Sequence, residues 1–474
     1  MLSPEMIDGS AQPAVGNAPG ASFEKGFSRD AFETPSPNPA VGSEPAVDND
    51  DDTQKRIRRK VDLRLCTIAG VLCSLDLLDS GVISSASVTS MLPDLGLDVG
   101  NRFSVSIFIF TISSIAFQLP ATIAVRAFGP RVWFSFITVA FGLITLCTGF
   151  VQTWQQMIAL RVLLGAAMSG IYPGLTYLIS TWYPRREQQL RFAFMQSGEV
   201  IILATGSLVN YGLNANLDGH RGLAGWRWMF IVQGVCTCVL GMATYWWMVD
   251  FPERSHKSFW FLTPAESEIV TRRIDKDRGD AFLSQFALQK VLIHAMDPKV
   301  WAFACLFFMQ NIVSTALAYF VPIILVNGLG YSSNAAIILS APPYYYAVVP
   351  VVLSSWPADK FRTRGPIIAF NALCLITGFA VFGFAESPGR GTLGYSWLRE
   401  PCTALNGAGG IAGSFIVRNR EAPRYITAIW ISIGSHILLI FLVAVLSVHF
   451  YMANRSQRKG PKVIEKTEGF RFTY

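Results

Sequence analysis

Four ionisable residues of this 474-residue chain lie inside long apolar runs: Asp76, Asp79, Arg161 and Glu199. A charge at bilayer depth is costly, so it faces a cavity or a partner rather than lipid. The guanidinium of Arg161 is a planar fork that can hold a carboxylate through two hydrogen bonds. Its other readings are a structural ion pair, with Glu199 of an adjacent helix as partner, or a side chain reaching for the outer interface. Asp76 and Asp79 stand three residues apart, on one face of a helix. A carboxylate in a low-dielectric setting can carry a proton; a helix–helix hydrogen bond is the plainer alternative. Glu199, in the run "QSGEVIILATG", has no basic neighbour in sequence, and is the cleanest candidate to carry a proton. Gln118, Gln310, Asn311 and Tyr319 are uncharged polar positions in apolar surroundings, and read as pore lining or as packing.

Such residues need membrane-crossing helices to position them, and the composition supplies these. Hydrophobic residues make up 51% of the chain and charged residues only 15%, against about 25% charged in a soluble domain. Mean hydropathy is +0.38. Too little polar surface is left to cover soluble globules, so the expectation is an all-α integral membrane protein. A helical span takes about 20 mostly apolar residues. Ten segments qualify: 63–86, 103–125, 132–151, 157–179, 192–213, 226–249, 300–326, 335–356, 366–385 and 426–453.

Positive charge orients them. The net charge is +7. With the N-terminal tail in the cytosol, the inside gaps hold six basic residues between Lys55 and Arg64 and eight in the central gap; Arg126, Arg131, Arg185, Arg186, Arg191, Lys360, Arg362 and Arg364 also fall inside. Up to the ninth segment, the outside gaps and their edges hold only Arg102, Arg221 and Arg227. The basic C-terminal tail, Arg455 to Arg471, also belongs inside, which requires an even number of spans. Between segments nine and ten there is no room for two more, so a short or re-entrant helix is expected near 405–417. The division predicted is a disordered cytosolic tail (1–54), a six-helix bundle (55–250), a cytosolic loop (251–299), a second, incomplete bundle (300–453) and a cytosolic basic tail (454–474).

Two gaps at matching places in the halves are alike: Arg126-Ala127-Phe128-Gly129-Pro130-Arg131 and Asp359-Lys360-Phe361-Arg362-Thr363-Arg364-Gly365-Pro366. Duplicated halves are a transporter architecture. Arg126, Gly129, Arg131, Asp359, Arg362 and Arg364 therefore read as a cytosolic gate, or as charges that only set topology. The Ala166, Gly170, Gly174 spacing reads as close helix packing. The stretch Gly407 to Ala412 fits a dinucleotide fingerprint by letter, but "REPCTALN" before it is no strand, so small-residue packing explains it. Neither histidine spacing nor the eight scattered cysteines suggest a metal site or a disulfide framework. No cofactor, no enzyme chemistry and no nucleic-acid partner is expected, and no oligomer is implied.

The stretch from Leu160 to Arg191, "LRVLLGAAMSGIYPGLTYLISTWYPRREQQLR", together with "GLAGWRWMF", "FPE", "DKDRGDA", "DPKVW", "GLGYSS", "SAPPY" and "RGP", resembles the major facilitator superfamily, and within it the fungal anion:cation symporters of the allantoate and nicotinate permease group. The resemblance spans roughly residues 60–453. It implies a two-bundle helical fold and secondary transport, here proton-coupled uptake of a small organic anion at a plasma membrane with both termini cytosolic. Three departures stand out. Ser80 follows Asp79 where the group has Arg, with Val82 where Asn is common. Met168 replaces a common acidic residue. "FAESPGRG" runs almost directly into "NGAGGIAGSFIVR", which shortens the region of the tenth and eleventh of the twelve spans implied. This leaves open a non-transporting sensor, an inactive truncated remnant, or an efflux carrier of a small metabolite.

Overall fold

The computed structural model describes residues 51–184, 187–257, 261–278, 298–361, 364–384 and 426–459. The short helix expected near 405–417 lies outside the described residues, as do most of both tails. Every regular element among the described residues is helical. Eight helices are long and apolar enough to cross a membrane. Six of them come first: α1 (Gln54–Ser87), α2 (Arg102–Phe128), α3 (Pro130–Thr148), α4 (Trp154–Trp182), α5 (Gln188–Leu217) and α6 (Gly225–Trp247). A shorter polar helix, α7 (Pro264–Arg278), follows. Then come α8 (Pro298–Leu329), α9 (Ala341–Phe361), α10 (Arg364–Phe384) and α11 (Ile426–Lys459). Helices α8 and α11 complete the eight. Each of the ten predicted segments thus falls on helical residues, the eighth across the short helix Ser333–Leu339 and α9, which a turn at Ser340 separates.

Local chemistry explains the boundaries. Gly129, with φ at +85°, turns α2 into α3 within one residue, and Pro130 opens α3 where a missing N–H costs nothing. Thr153 caps α4 through its hydroxyl, which accepts from the Gln156 N–H. The interior hydroxyls bond back to the preceding turn, as Thr111 does to the Ile107 carbonyl and Ser435 to that of Ile431. In lipid this satisfies a polar group without a partner helix. α1 carries one wider turn at Asp62–Cys66 and extends beyond the predicted segment into the Lys55–Lys60 cluster.

Packing follows small residues. α3 lies against α6, α1 against α5, and α2 against α4. A methyl at Gly174 would stand 2.8 Å from the Phe134 ring, and one at Gly142 would stand 2.7 Å from the Cys238 backbone. These contacts need glycine because the helix backbones approach so closely. Outward positions such as Phe136, Leu143, Val239, Phe441 and Val448 are exposed and apolar, as a hydrocarbon surround demands.

Both halves meet along α1 with α8 and α5 with α9. Their hydrogen bonds and ring contacts lie at mid-depth or on the side away from the basic clusters. Ser84 donates to the Tyr319 carbonyl at 2.9 Å, Phe103 meets Phe320 edge-on, and Asn214 donates to Asn334 at 2.9 Å. One apolar cluster there joins Val82, Ile83, Phe103 and Trp226 to Tyr319, Phe320 and Ile323.

Candidate substrate site

The four intramembrane charges separate into two kinds of setting. Arg161 on α4 and Asp79 on α1 form an ion pair, with Nη1 donating to Oδ2 at 2.6 Å. Their side chains are 2% and 1% exposed, so the attraction acts in low dielectric and water contributes little screening. Among the described residues the pair is incompletely satisfied: Nε and Nη2 of Arg161 and Oδ1 of Asp79 have no hydrogen-bond partner there. Nε and Nη2 form one edge of the guanidinium, the edge that takes a carboxylate side-on. The Phe110 ring lies beneath the guanidinium, 5.9 Å from centroid to Cζ.

Glu199 is also buried, but its described hydrogen bond comes from Gln196 Nε2 at 2.7 Å, one turn earlier on α5. The reading in which Glu199 neutralises Arg161 is not what the structure holds, because Asp79 occupies that place. The cause is topological: α1 brings Asp79 to α4 across 82 residues of chain, and helical periodicity cannot foretell which carboxylate arrives.

Next to the pair lies a cavity of about 560 Å³. Its walls come from α1, α2, α4, α5 and α8, so both halves contribute. Gln118, Asn311 and Tyr319, three of the polar positions singled out from sequence, line it together with Ser80, Thr111, Ser114 and Thr176. Gln310 is buried beside Asn311 but is not part of the wall. Asp76 lines it as well and is partly exposed. Among the described residues it is the one charged lining side chain, and no hydrogen bond or ion pair holds its carboxylate. Tyr319 lines the cavity and interacts electrostatically with Asp76, Asp79 and Arg161. Arg161, Asp79 and Glu199 do not themselves line it. The sequence offered no signal for the aromatic contributors Phe110, Tyr172 and Tyr177, whose spacing is that of ordinary helix packing.

The wall reaches Ser180 and Gln188, at the ends of α4 and α5 nearest the basic clusters. Arg126 lies over the Tyr177 ring at 4.4 Å, and Arg131 lies over Tyr245 at 4.4 Å while its Nε donates to the Tyr245 carbonyl. These contacts stay within the first six helices. The side chains of Asp359 and Arg364 and the whole of Arg362 lie outside the described residues, so the second half of the expected gate has no described geometry.

The profile of the Major Facilitator Superfamily matches residues 71–420. The chain belongs to that superfamily. This facilitator is 28% identical over 449 residues to the MFS-type transporter cnsO of Penicillium expansum, covering 86% of this chain and 85% of that one. It is 26% identical over 443 residues to the high-affinity nicotinic acid transporter of Saccharomyces cerevisiae, covering 87% and 80%. Its fold is similar to that of the proton:xylose symporter XylE bound to 6-bromo-6-deoxy-D-glucose, with a TM-score of 0.56 at 17% identity, over 86% of this chain and 90% of that one. It is also similar to a partially occluded inward open conformation of XylE from E. coli, with a TM-score of 0.55 at 16% identity. At such identities the likeness is one of fold alone. The facilitator is a multi-pass membrane transporter of small molecules, not an enzyme.

Proposed function

We propose that this facilitator takes up a small organic carboxylate together with a proton. The single observation that supports this most is the unsatisfied Arg161 edge: two buried N–H donors, Nε and Nη2, with no acceptor among the described residues, on a guanidinium already held by Asp79 through its other side. Buried donors are nearly always satisfied, and a carboxylate is the ligand that fits both at once. The likeness to a nicotinic acid transporter makes a monocarboxylate of that size a reasonable cargo, and a 560 Å³ cavity is in the range of small-ligand sites.

Coupling follows from charge. One guanidinium in low dielectric cannot neutralise two carboxylates, so the arrival of substrate on Arg161 favours a proton on Asp79. Glu199, buried on α5, is the second candidate to carry it. The proton and the substrate then travel as one load while the halves rock about the cavity. The seam from Ser84 to Tyr319 opens on one side, while the basic side, with Arg126 and Arg131, closes on the other. Orientation with both termini cytosolic, in a plasma membrane, rests on the distribution of basic residues.

The test is uptake of labelled nicotinate and related monocarboxylates into proteoliposomes with an imposed pH gradient. Acid outside should drive accumulation. Asp79→Asn should abolish accumulation while exchange across equal pH persists in part. Uptake that ignores the pH gradient would remove the coupling; no carboxylate uptake at all would favour a sensor or a remnant.

A further inference from the structure

We infer that the carboxylate substrate also carries a cationic nitrogen, so that the cargo is a zwitterion. This rests on the reading of Arg161 as the carboxylate clamp and adds the second recognition point. That point is Asp76. It stands three residues from Asp79 on the same helix face, about 4.5 Å along the axis, and it lines the cavity with no ion pair or hydrogen bond to its carboxylate among the described residues.

The charges decide the class. Without cargo, Arg161 and Asp79 cancel, and Asp76, when ionised, gives the cavity one negative charge. A simple carboxylate arriving with one proton on Asp79 places its charge against Arg161 and leaves Asp76 still uncompensated. Closing the site over it then either buries a lone carboxylate, which is strongly unfavourable, or requires a second proton on Asp76. A cargo with a carboxylate and, roughly one helical turn away, a cationic nitrogen brings the sum to zero: carboxylate on the Arg161 edge, nitrogen against Asp76. The walls agree independently. Tyr172 and Tyr319 present aromatic rings to the same cavity, while Phe110 and Tyr177 already carry Arg161 and Arg126; ring faces attract desolvated ammonium and pyridinium groups. No lysine or arginine lines the cavity among the described residues.

Two compounds of the same shape separate the outcomes: N-methylpyridinium-3-carboxylate and 3-methylbenzoate, which differs by having a neutral ring. Both are offered to the full-length protein in proteoliposomes, in exchange mode. The zwitterion should be preferred by about tenfold or more, the scale of one desolvated charge pair. Asp76→Asn should shrink that ratio to near one, and Asp76→Glu should restore most of it, which guards against a variant that simply fails to fold. Equal exchange of the two compounds by the natural protein overturns the inference. So does 3-methylbenzoate moving with two protons, because the second proton then silences Asp76. In either case the Arg161 clamp stands. If neither compound is exchanged and Arg161→Lys behaves as the natural protein toward whatever is, the clamp itself falls and this inference with it.

Discussion

Two groups of charge bind the helices of this facilitator, and they differ in what surrounds them. At mid-depth, Arg161 meets Asp79 alone, almost wholly buried, with half of the guanidinium and one carboxylate oxygen unsatisfied. On the basic side, Glu187 at the start of α5 gathers Arg58, Arg191 and Arg273. Arg191 also grips Asp62 through two bonds of 3.1 Å. These side chains are 12% to 36% exposed. Water and several partners share the load on the basic side, so losing any one bond leaves the others. In the interior there is no substitute. The contrast separates charges that fasten elements from a charge pair left incomplete, which is what a site that must exchange partners requires.

The sharpest way to break this contrast is Arg161→Gln. It strands Asp79 in low dielectric, and removal of one partner from a buried pair costs about 3–5 kcal/mol. Uptake should vanish and the melting temperature should drop. The double replacement Arg161→Met with Asp79→Leu, apolar on both sides, should recover most of the stability but none of the uptake. Recovery of both would mean that the pair only holds helices together.

Less severe is Glu187→Gln, which weakens three arginine contacts at once without burying a charge. A loss of about 1–2 kcal/mol is expected, since each exposed pair is worth little alone but the three share one carboxylate. α7 should become easier for a protease to cut, and uptake should fall only severalfold. High salt should mimic the substitution on this side and leave the Arg161 pair unaffected. A melting loss as large as that of Arg161→Gln would erase the distinction between the two regions.

How much of this could be read from sequence depends on the length scale of the cause. Ten helices were legible because twenty apolar residues have few other uses in a chain this poor in charge, and Gly129-Pro130 marks its own turn. That Arg161, Asp79 and Glu199 are buried was legible from their apolar flanks. Which carboxylate meets Arg161 was not, because Asp79 and Glu199 reach α4 from separate helices whose placement depends on contacts across the whole first half. The weight given to Glu199 as the cleanest carboxylate reflects only its lack of basic neighbours along the chain. Asp76 is a related case: periodicity puts it on the face of Asp79, yet its place in the cavity wall is set by the packing of the other helices that line it. The polar positions Gln118, Asn311 and Tyr319 come together on three-dimensional grounds that no spacing of 3.6 residues encodes.

The smallest expected effect concerns the outermost pair and sharpens the comparison by setting its lower limit. Thr263 and Glu266 cap α7 reciprocally: the Thr263 N–H donates to Glu266 Oε2 at 3.0 Å, and the Glu266 N–H donates to the Thr263 hydroxyl. Lys60 of α1 donates to Glu266 Oε1 at 2.9 Å. Burial pushes the Glu266 carboxyl up, but the Thr263 N–H and Lys60 together outweigh it and hold the group below its ordinary value of 4.5. A carboxylate held low in the folded chain adds stability above its unfolded value, and that stability is lost as pH falls through the folded value. Its contribution should therefore be complete at neutral pH and fade only below about 4.5. Glu266→Gln keeps an acceptor for the cap and removes only the charge, so the cost should stay below about 1 kcal/mol. Melting curves of the natural protein and of this variant should differ slightly at pH 7 and converge as the pH falls below 4.5 and through the lowered folded value. If instead the two curves diverge as the pH is lowered, Glu266 is neither held low nor fastened by Lys60, and the basic side owes its cohesion to the arginines around Glu187 alone.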